Sequence, residues 1–345
     1  MNLLNDILHT PSPSFIPWNL KVLQRLSSIF IIAISLSFLS SCQNLLSYSL
    51  LNAKSYPASQ TATKQILDEF GAEKRQFCDS TLGCIDYYFA PSLSDRNSLD
   101  MNLRADFTGS ERNISLDLKR EELGAYSGNI ILLHGFRGSK EWMLTSAGYF
   151  QFLGFDVYIF DLLGHGELDV AKGFGVKDSE YISRFVKANI DQSKPTIAVG
   201  YSMGGLLASR LNASDFVAGA ILQAPMTRFD ESLVGYFKDN QPWYGFIFSD
   251  RMLRDGAQSA LNKAGVQLAQ TETLSLINSI DNPSLIFAST IDSVSPYSTF
   301  KDLGVDKLVV HKVESIQHAY MSMIGSEEHK QIVDWLNEHI YKRSK

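Results

Sequence analysis

The sequence predicts an α/β fold built on a doubly wound, mostly parallel sheet, and three observations lead there. Downstream of residue 128, short apolar runs bounded by Gly, Asp or Pro recur at 130–133, 157–160, 196–199, 217–222, 285–288 and 308–310. Strands buried on both faces read this way. Segments of helical length separate them, at 140–152, 179–189, 203–211 and from Ser326 onward, and strand alternating with helix is the pattern of parallel crossover connections. The composition agrees: 345 residues, 45% hydrophobic and 20% charged, match a globular chain and not a disordered, collagenous or multi-span membrane one.

Taken in order, residues 1–41 read as a lipoprotein signal peptide. Lys21 and Arg25 precede an apolar run over 28–39, well short of the roughly 20 residues that a spanning helix needs. Leu39-Ser40-Ser41-Cys42 resembles the bacterial lipobox, so Cys42 is expected to carry acyl chains that tether the mature protein to a membrane. Gln43, in place of Asp, is the pattern of lipoproteins forwarded to the outer membrane of a two-membrane bacterium. The expected location is therefore the cell envelope. Residues 42–60 are polar and read as a spacer, with the folded domain following over 61–345.

The first part of that domain predicts a helix over 63–70 and antiparallel strands near 85–90, 103–107 and 114–118. Cys78 and Cys84 are the only thiols besides Cys42. In an oxidising compartment they could close a small loop; the alternative is two inert buried thiols. About 60 residues separate the runs at 217–222 and 285–288, which predicts an insertion over about 226–280. Its stretch from Phe229 to Phe248 holds seven aromatic residues. They form either a satellite core or, the favoured reading, a lid walling an apolar pocket. The last helix carries Glu327 and Glu328 at its start and Ile332, Val333, Leu336 and Ile340 on one face, as expected of a helix laid on the sheet.

The chemistry is concentrated in Gly200-Tyr201-Ser202-Met203-Gly204, directly after a buried strand and before a helix. Flanking glycines permit a cramped strand-to-helix turn that lifts the Ser202 hydroxyl clear of the sheet. A hydroxyl is a poor nucleophile until a base takes its proton, and that base needs a carboxylate to orient it. Asp292 follows the run at 285–288, and His318 follows the last one, each at the carboxyl edge where open α/β sheets bind ligands. The order Ser, Asp, His also fits this class of turn. Phe136, in His134-Gly135-Phe136, and Met203 are the candidates for the two backbone amides of an oxyanion hole. Asp281, Glu314 and His311 read as structural, His134 likewise, and His329 and His339 as solvated. His165 lies at the correct edge but precedes the nucleophile.

Together, Leu132-Leu133-His134-Gly135-Phe136, Asp161-Leu162-Leu163-Gly164-His165-Gly166, the serine motif, and Asp292 to Pro296 with His318 resemble the α/β-hydrolase superfamily, in its monoacylglycerol-lipase-like and serine-aminopeptidase-like branch. The resemblance spans about residues 110–342. It implies an eight-stranded, mostly parallel sheet, a helical cap after the sixth strand, and chemistry without a metal or organic cofactor. Tyr201 in place of the usual His, Gln317 before the base and Glu167-Leu168 after the Gly-His-Gly turn depart from the family pattern and bear on substrate choice.

A net charge of −6 gives no electrostatic drive toward nucleic acid. The expected function is therefore a serine esterase or lipase-like hydrolase acting on small acyl esters, apolar or lipid-derived, through an acyl-enzyme. A peptidase, amidase or thioesterase could use the same residues, and a noncatalytic surface-binding lipoprotein is the alternative from outside enzymology.

Overall fold

The computed structural model describes residues 43–341, apart from 108–109 and 243–244. The apolar run, its lipobox and Cys42 lie outside the described residues, as do Trp243 and Tyr244. No helix among the described residues is long and apolar enough to cross a membrane.

The chain begins with helix α1 (43–51) and α2 (Gln60–Phe70), then strands β1 (Glu73–Asp79), β2 (Gly83–Ala90), β3 (Ser98–Phe107) and β4 (Ser110–Lys119). The alternating region follows: β5 (Gly128–Leu133), α3 (Leu144–Leu153), β6 (Phe155–Phe160), α4 (Asp178–Asn189), β7 (Thr196–Tyr201), α5 (Met203–Asn212) and β8 (Gly219–Gln223). Helices α6 (Phe229–Asn240), α7 (Asp250–Lys263) and α8 (Thr273–Ser279) fill the predicted insertion, and β9 (Ser284–Ser289), α9 (Tyr297–Phe300), β10 (Leu308–Val313) and α10 (Ser326–Trp335) complete the fold.

Eight strands form one sheet in the order β1-β2-β6-β5-β7-β8-β9-β10. The six from β6 to β10 run parallel, and β2 and β1 add an antiparallel hairpin at one edge. The insertion thus follows the sixth strand of this sheet. The parallel strands are apolar throughout because both faces are covered. Along β5, Ile130 and Leu132 enter one core with α3 and α10, whereas Ile131 and Leu133 enter the other with α4, α5 and α7. Strand alternation sends successive residues to opposite faces, so a continuous apolar run is the consequence.

Strands β3 and β4 do not join the sheet; they pair only with each other. Leu99, Met101, Leu116 and Leu118 turn one face of this ribbon into the core shared with α3 and α10. Arg112 ties it further, with an ion pair to Glu328 at 2.7 Å and a hydrogen bond to the Tyr320 carbonyl at 2.8 Å.

Residues 43–60 are not a spacer, which corrects the sequence reading. Leu46 and Leu50, one helical turn apart, are buried against the α4–α5–α7 side of the sheet. Gly256 of α7 makes room for them, since a methyl group placed there would lie 2.4 Å from Leu46. Their polar neighbours hid a two-residue apolar stripe. Cys78 and Cys84 stand directly opposite one another in the β1–β2 hairpin and are joined as a disulfide, Cα to Cα 3.9 Å.

The cap is mixed in character. Phe229, Val234, Leu253 and Ala257 are built into the main core, while Phe246 is 84% exposed. His329 is not a solvated surface group; its Nδ1 meets the Tyr149 hydroxyl at 3.0 Å.

Candidate active site

Ser202 sits between β7 and α5 at φ +53° and ψ −115°, a left-handed φ that a non-glycine residue rarely adopts. Close approach explains the glycines around it. A methyl group on Gly200 would fall 2.0 Å from the Gly204 carbonyl, and one on Gly204 would fall 2.1 Å from the Leu133 carbonyl. The start of α5 is therefore pressed against the end of β5. The turn is held by Ser202 N–H donating to Gln223 O at 3.0 Å and by Met226 N–H donating to Ser202 O at 3.0 Å.

The structure brings Ser202, His318 and Asp292 together from three separate loops. Ser202 Oγ lies 2.9 Å from His318 Nε2, and His318 Nδ1 lies 2.7 Å from Asp292 Oδ2. An ionised carboxylate only accepts, so Nδ1 carries the proton and Nε2 is left to accept from the hydroxyl. Asp292 is 1% exposed, and its other oxygen accepts the N–H groups of Val294 and Ser295 at 2.8 and 3.0 Å. This is an Asx-type turn, which Asp-Ser-Val-Ser-Pro favours. Tyr201 donates its hydroxyl to the His318 carbonyl at 2.9 Å, a contact its position beside Ser202 did not reveal.

Phe136 follows Gly135 and Met203 follows Ser202 in the chain. Met203 opens α5, where N–H groups have no partner within the helix, and Gly135 is so close that a methyl group on it would lie 3.2 Å from Ser202 Cβ. His134 is structural, as expected. Its Nε2 accepts Leu162 N–H at 3.0 Å and its Nδ1 donates to Gly135 O at 2.8 Å. Burial pushes its pKa down, the neutral form that this pairing needs. Burial, helped by His134 and Lys172, pushes His165 down to about 2. Its Nδ1 meets Leu163 O at 3.0 Å, so it is a neutral packing group and makes no bond to Ser202. Glu314 is exposed and pairs with Thr290 at 3.1 Å.

Sequence reasoning missed the charged frame behind the site. Lys140 is fully buried, with Nζ 2.7 Å from Asp161 and 2.8 Å from Glu167. Burial works against its charge, yet these carboxylates hold the ammonium above its ordinary range. Asp161 also accepts the backbone N–H groups of Lys140 and Glu167 at 2.8 and 3.0 Å. The loops after β5 and β6 are thereby locked together. Asp178 folds the loop after β6 on itself, accepting from Leu163 and Gly175 at 2.6 and 2.9 Å, while burial raises it to about 6. Spacing gives no signal for the Lys140–Asp161 pair, because its members come from different connections. The Phe136 ring packs 5.7 Å from that of Phe229 and 6.2 Å from that of Phe174, which joins its loop to the main core.

The sequence profile of the alpha/beta hydrolase family matches residues 130–326, more than half of the chain. No curated protein matches in sequence. Among solved structures, an esterase of Pyrococcus furiosus superposes with a TM-score of 0.56 at 14% identity, over 84% of this chain and 98% of its own. A protein described as a putative lipase of Acinetobacter baumannii gives 0.53 at 17% identity, over 84% and 100%. A membrane phospholipase A described as a bacterial virulence factor gives 0.52 at 16% identity, over 91% and 97%. At these identities the likeness is one of fold.

Proposed function

Because the chain belongs to the alpha/beta hydrolase family, we propose that it is a serine hydrolase that cleaves carboxylic esters with an apolar acyl part. The observation that carries this reading is the unbroken Ser202–His318–Asp292 hydrogen-bond chain, 2.9 and 2.7 Å long, at a turn of left-handed φ. His318 Nε2 takes the hydroxyl proton as Ser202 Oγ attacks the ester carbonyl. Asp292 holds the imidazole in the tautomer that accepts this proton and stabilises the imidazolium that forms. The backbone N–H groups of Phe136 and Met203 receive the developing oxyanion. The carbonyl reforms as the carbon–alkoxy bond breaks, and the alcohol departs with the proton from His318. Water, deprotonated by the same imidazole, then attacks the acyl-enzyme and releases the acid, restoring Ser202.

The apolar acyl preference is supported by Phe136, a partly exposed ring on the loop whose Gly135 abuts Ser202, backed by the buried rings of Phe174 and Phe229. An apolar contact favours a hydrocarbon chain by about 0.8 kcal/mol for each CH₂ it buries. The test is turnover of p-nitrophenyl esters of graded chain length by the parent and by Ser202→Ala. The substitution should lower turnover by about 10⁴-fold or more, and a fluorophosphonate should label the parent at Ser202. A variant as active as the parent would overturn the assignment.

A further inference from the structure

The oxyanion loop, Gly135 to Gly138, does not satisfy its own backbone. The Gly135 carbonyl is met within the loop by Gly138 N–H at 2.9 Å, but the carbonyls of its last two residues look outward. Arg137 O accepts Tyr56 N–H at 2.8 Å, and Gly138 O accepts the Ser55 hydroxyl at 2.7 Å. Arg137 itself stands at φ +61°, a left-handed conformation that costs a non-glycine residue free energy and persists only where its surroundings impose it. Those surroundings are again the segment between α1 and α2. Arg137 Nε donates to Lys54 O at 3.0 Å, Nη1 donates to the Tyr56 hydroxyl at 3.1 Å, and the guanidinium lies 4.0 Å over the Tyr56 ring.

The same segment reaches two other parts of the site. The Ser55 oxygen accepts Gly166 N–H at 2.8 Å, so one hydroxyl joins the loop after β5 to the loop after β6. The Tyr56 hydroxyl lies 3.3 Å from that of Tyr236 on the cap helix α6, and the Tyr56 carbonyl accepts the Trp142 indole N–H at 3.2 Å. Residues that precede the first of the hydrolase motifs by some eighty positions thus touch the oxyanion loop, the neighbouring loop and the cap.

We propose that residues 54–56 are a positioning strap for the oxyanion hole, with Ser55 as the residue that fixes the Phe136 amide by pinning Gly138 to Gly166. The role rests on the hydrolase reading above and deepens it. Ser55 touches no reacting atom. Its hydroxyl holds the loop at the spacing the tetrahedral intermediate requires, and its loss leaves a carbonyl and an amide without the partner that joined them. A shift of about 1 Å in such a donor is felt mainly in the transition state, where the oxyanion bond is shortest.

The experiment compares the full-length parent, Ser55→Ala and Ser55→Thr. Substrate is a p-nitrophenyl ester, the tetrahedral mimic is an alkyl boronic acid, and endpoint fluorophosphonate labelling counts competent enzyme. Ser55→Ala should lose about tenfold in kcat, less than the 10²–10³-fold that follows outright loss of an oxyanion donor, with KM within about twofold. Boronate affinity should fall by the same factor as kcat, at an unchanged labelled fraction, and Ser55→Thr should restore both. Unchanged kcat and boronate affinity in Ser55→Ala would overturn the proposal, as would a loss in kcat matched by the loss in labelled fraction. A parent that neither hydrolyses esters nor takes the label would remove the hydrolase reading and this proposal with it, an outcome distinct from an active, labelled parent indifferent to Ser55.

Discussion

The carboxyl edge of the parallel strands and the β1–β2 hairpin belong to one sheet but are held by different forces. At the carboxyl edge the loops are joined by buried polar groups: Lys140 on Asp161, Asp178 on two backbone amides, His134 on Leu162, Asp292 on His318. In the hairpin, β1 is mostly exposed, and its ties are the Cys78–Cys84 bond and ion pairs such as Arg184–Asp79 at 2.6 Å. Apolar packing would suffice to hold loops together, but it is non-directional. Hydrogen bonds to desolvated charges fix direction, at the cost of exposing the site to any substitution that orphans one partner. The outer strand β1 buries only Asp79 of its seven residues and has no such precision to protect, and a covalent staple to the buried β2 serves it.

The comparison is most sharply tested at Lys140. Lys140→Met strands Asp161 in the interior, and the variant should lose about 3–5 kcal/mol of unfolding free energy by chemical denaturation. A loss under about 1 kcal/mol would mean that the two amides alone satisfy Asp161 and that the edge does not depend on its charges.

A smaller, pH-gated effect is expected from His165. Its folded-state pKa lies near 2, against about 6.5 in an unfolded chain. Above pH 6.5 neither state binds the proton. As pH falls below that value, the unfolded chain takes it up and the folded one does not, so stability is lost on acidification. The slope approaches about 1.4 kcal/mol per pH unit, and the loss comes to about 2.3 kcal/mol between pH 6.5 and 4.5. In His165→Asn that part of the slope should vanish; denaturation curves across the interval would show whether it persists.

The smallest effect belongs to the hairpin. Replacing Cys78 and Cys84 together by Ser should cost about 2 kcal/mol, the loop-closure figure for so short a ring, and should leave ester turnover as it was. A drop in turnover would show that the hairpin and the site are coupled after all.

The parts of this molecule legible in its sequence share one property, that a local pattern suffices. The strands β5 to β9 are apolar because each is covered on both faces, and the glycines around Ser202 are demanded by backbone approaches within a few residues or from β5. Asp292 and His318 were locatable because each follows a recognisable strand. By contrast β1, Glu-Lys-Arg-Gln-Phe-Cys-Asp, reads as surface because it is an exposed edge. Residues 43–60 read as a spacer because only Leu46 and Leu50 among them are buried apolar groups. Lys140 resembles an ordinary surface charge until folding gives it a partner from another connection, and Asp178 until its own loop folds back onto it.

The β3–β4 ribbon contributes none of the reacting groups, yet Arg112 reaches from it to the carbonyls of Tyr320 and Met323 while paired with Glu328. Tyr320 closes the short helical turn that starts at His318. A side excursion of the chain therefore helps to hold the short turn that carries the imidazole.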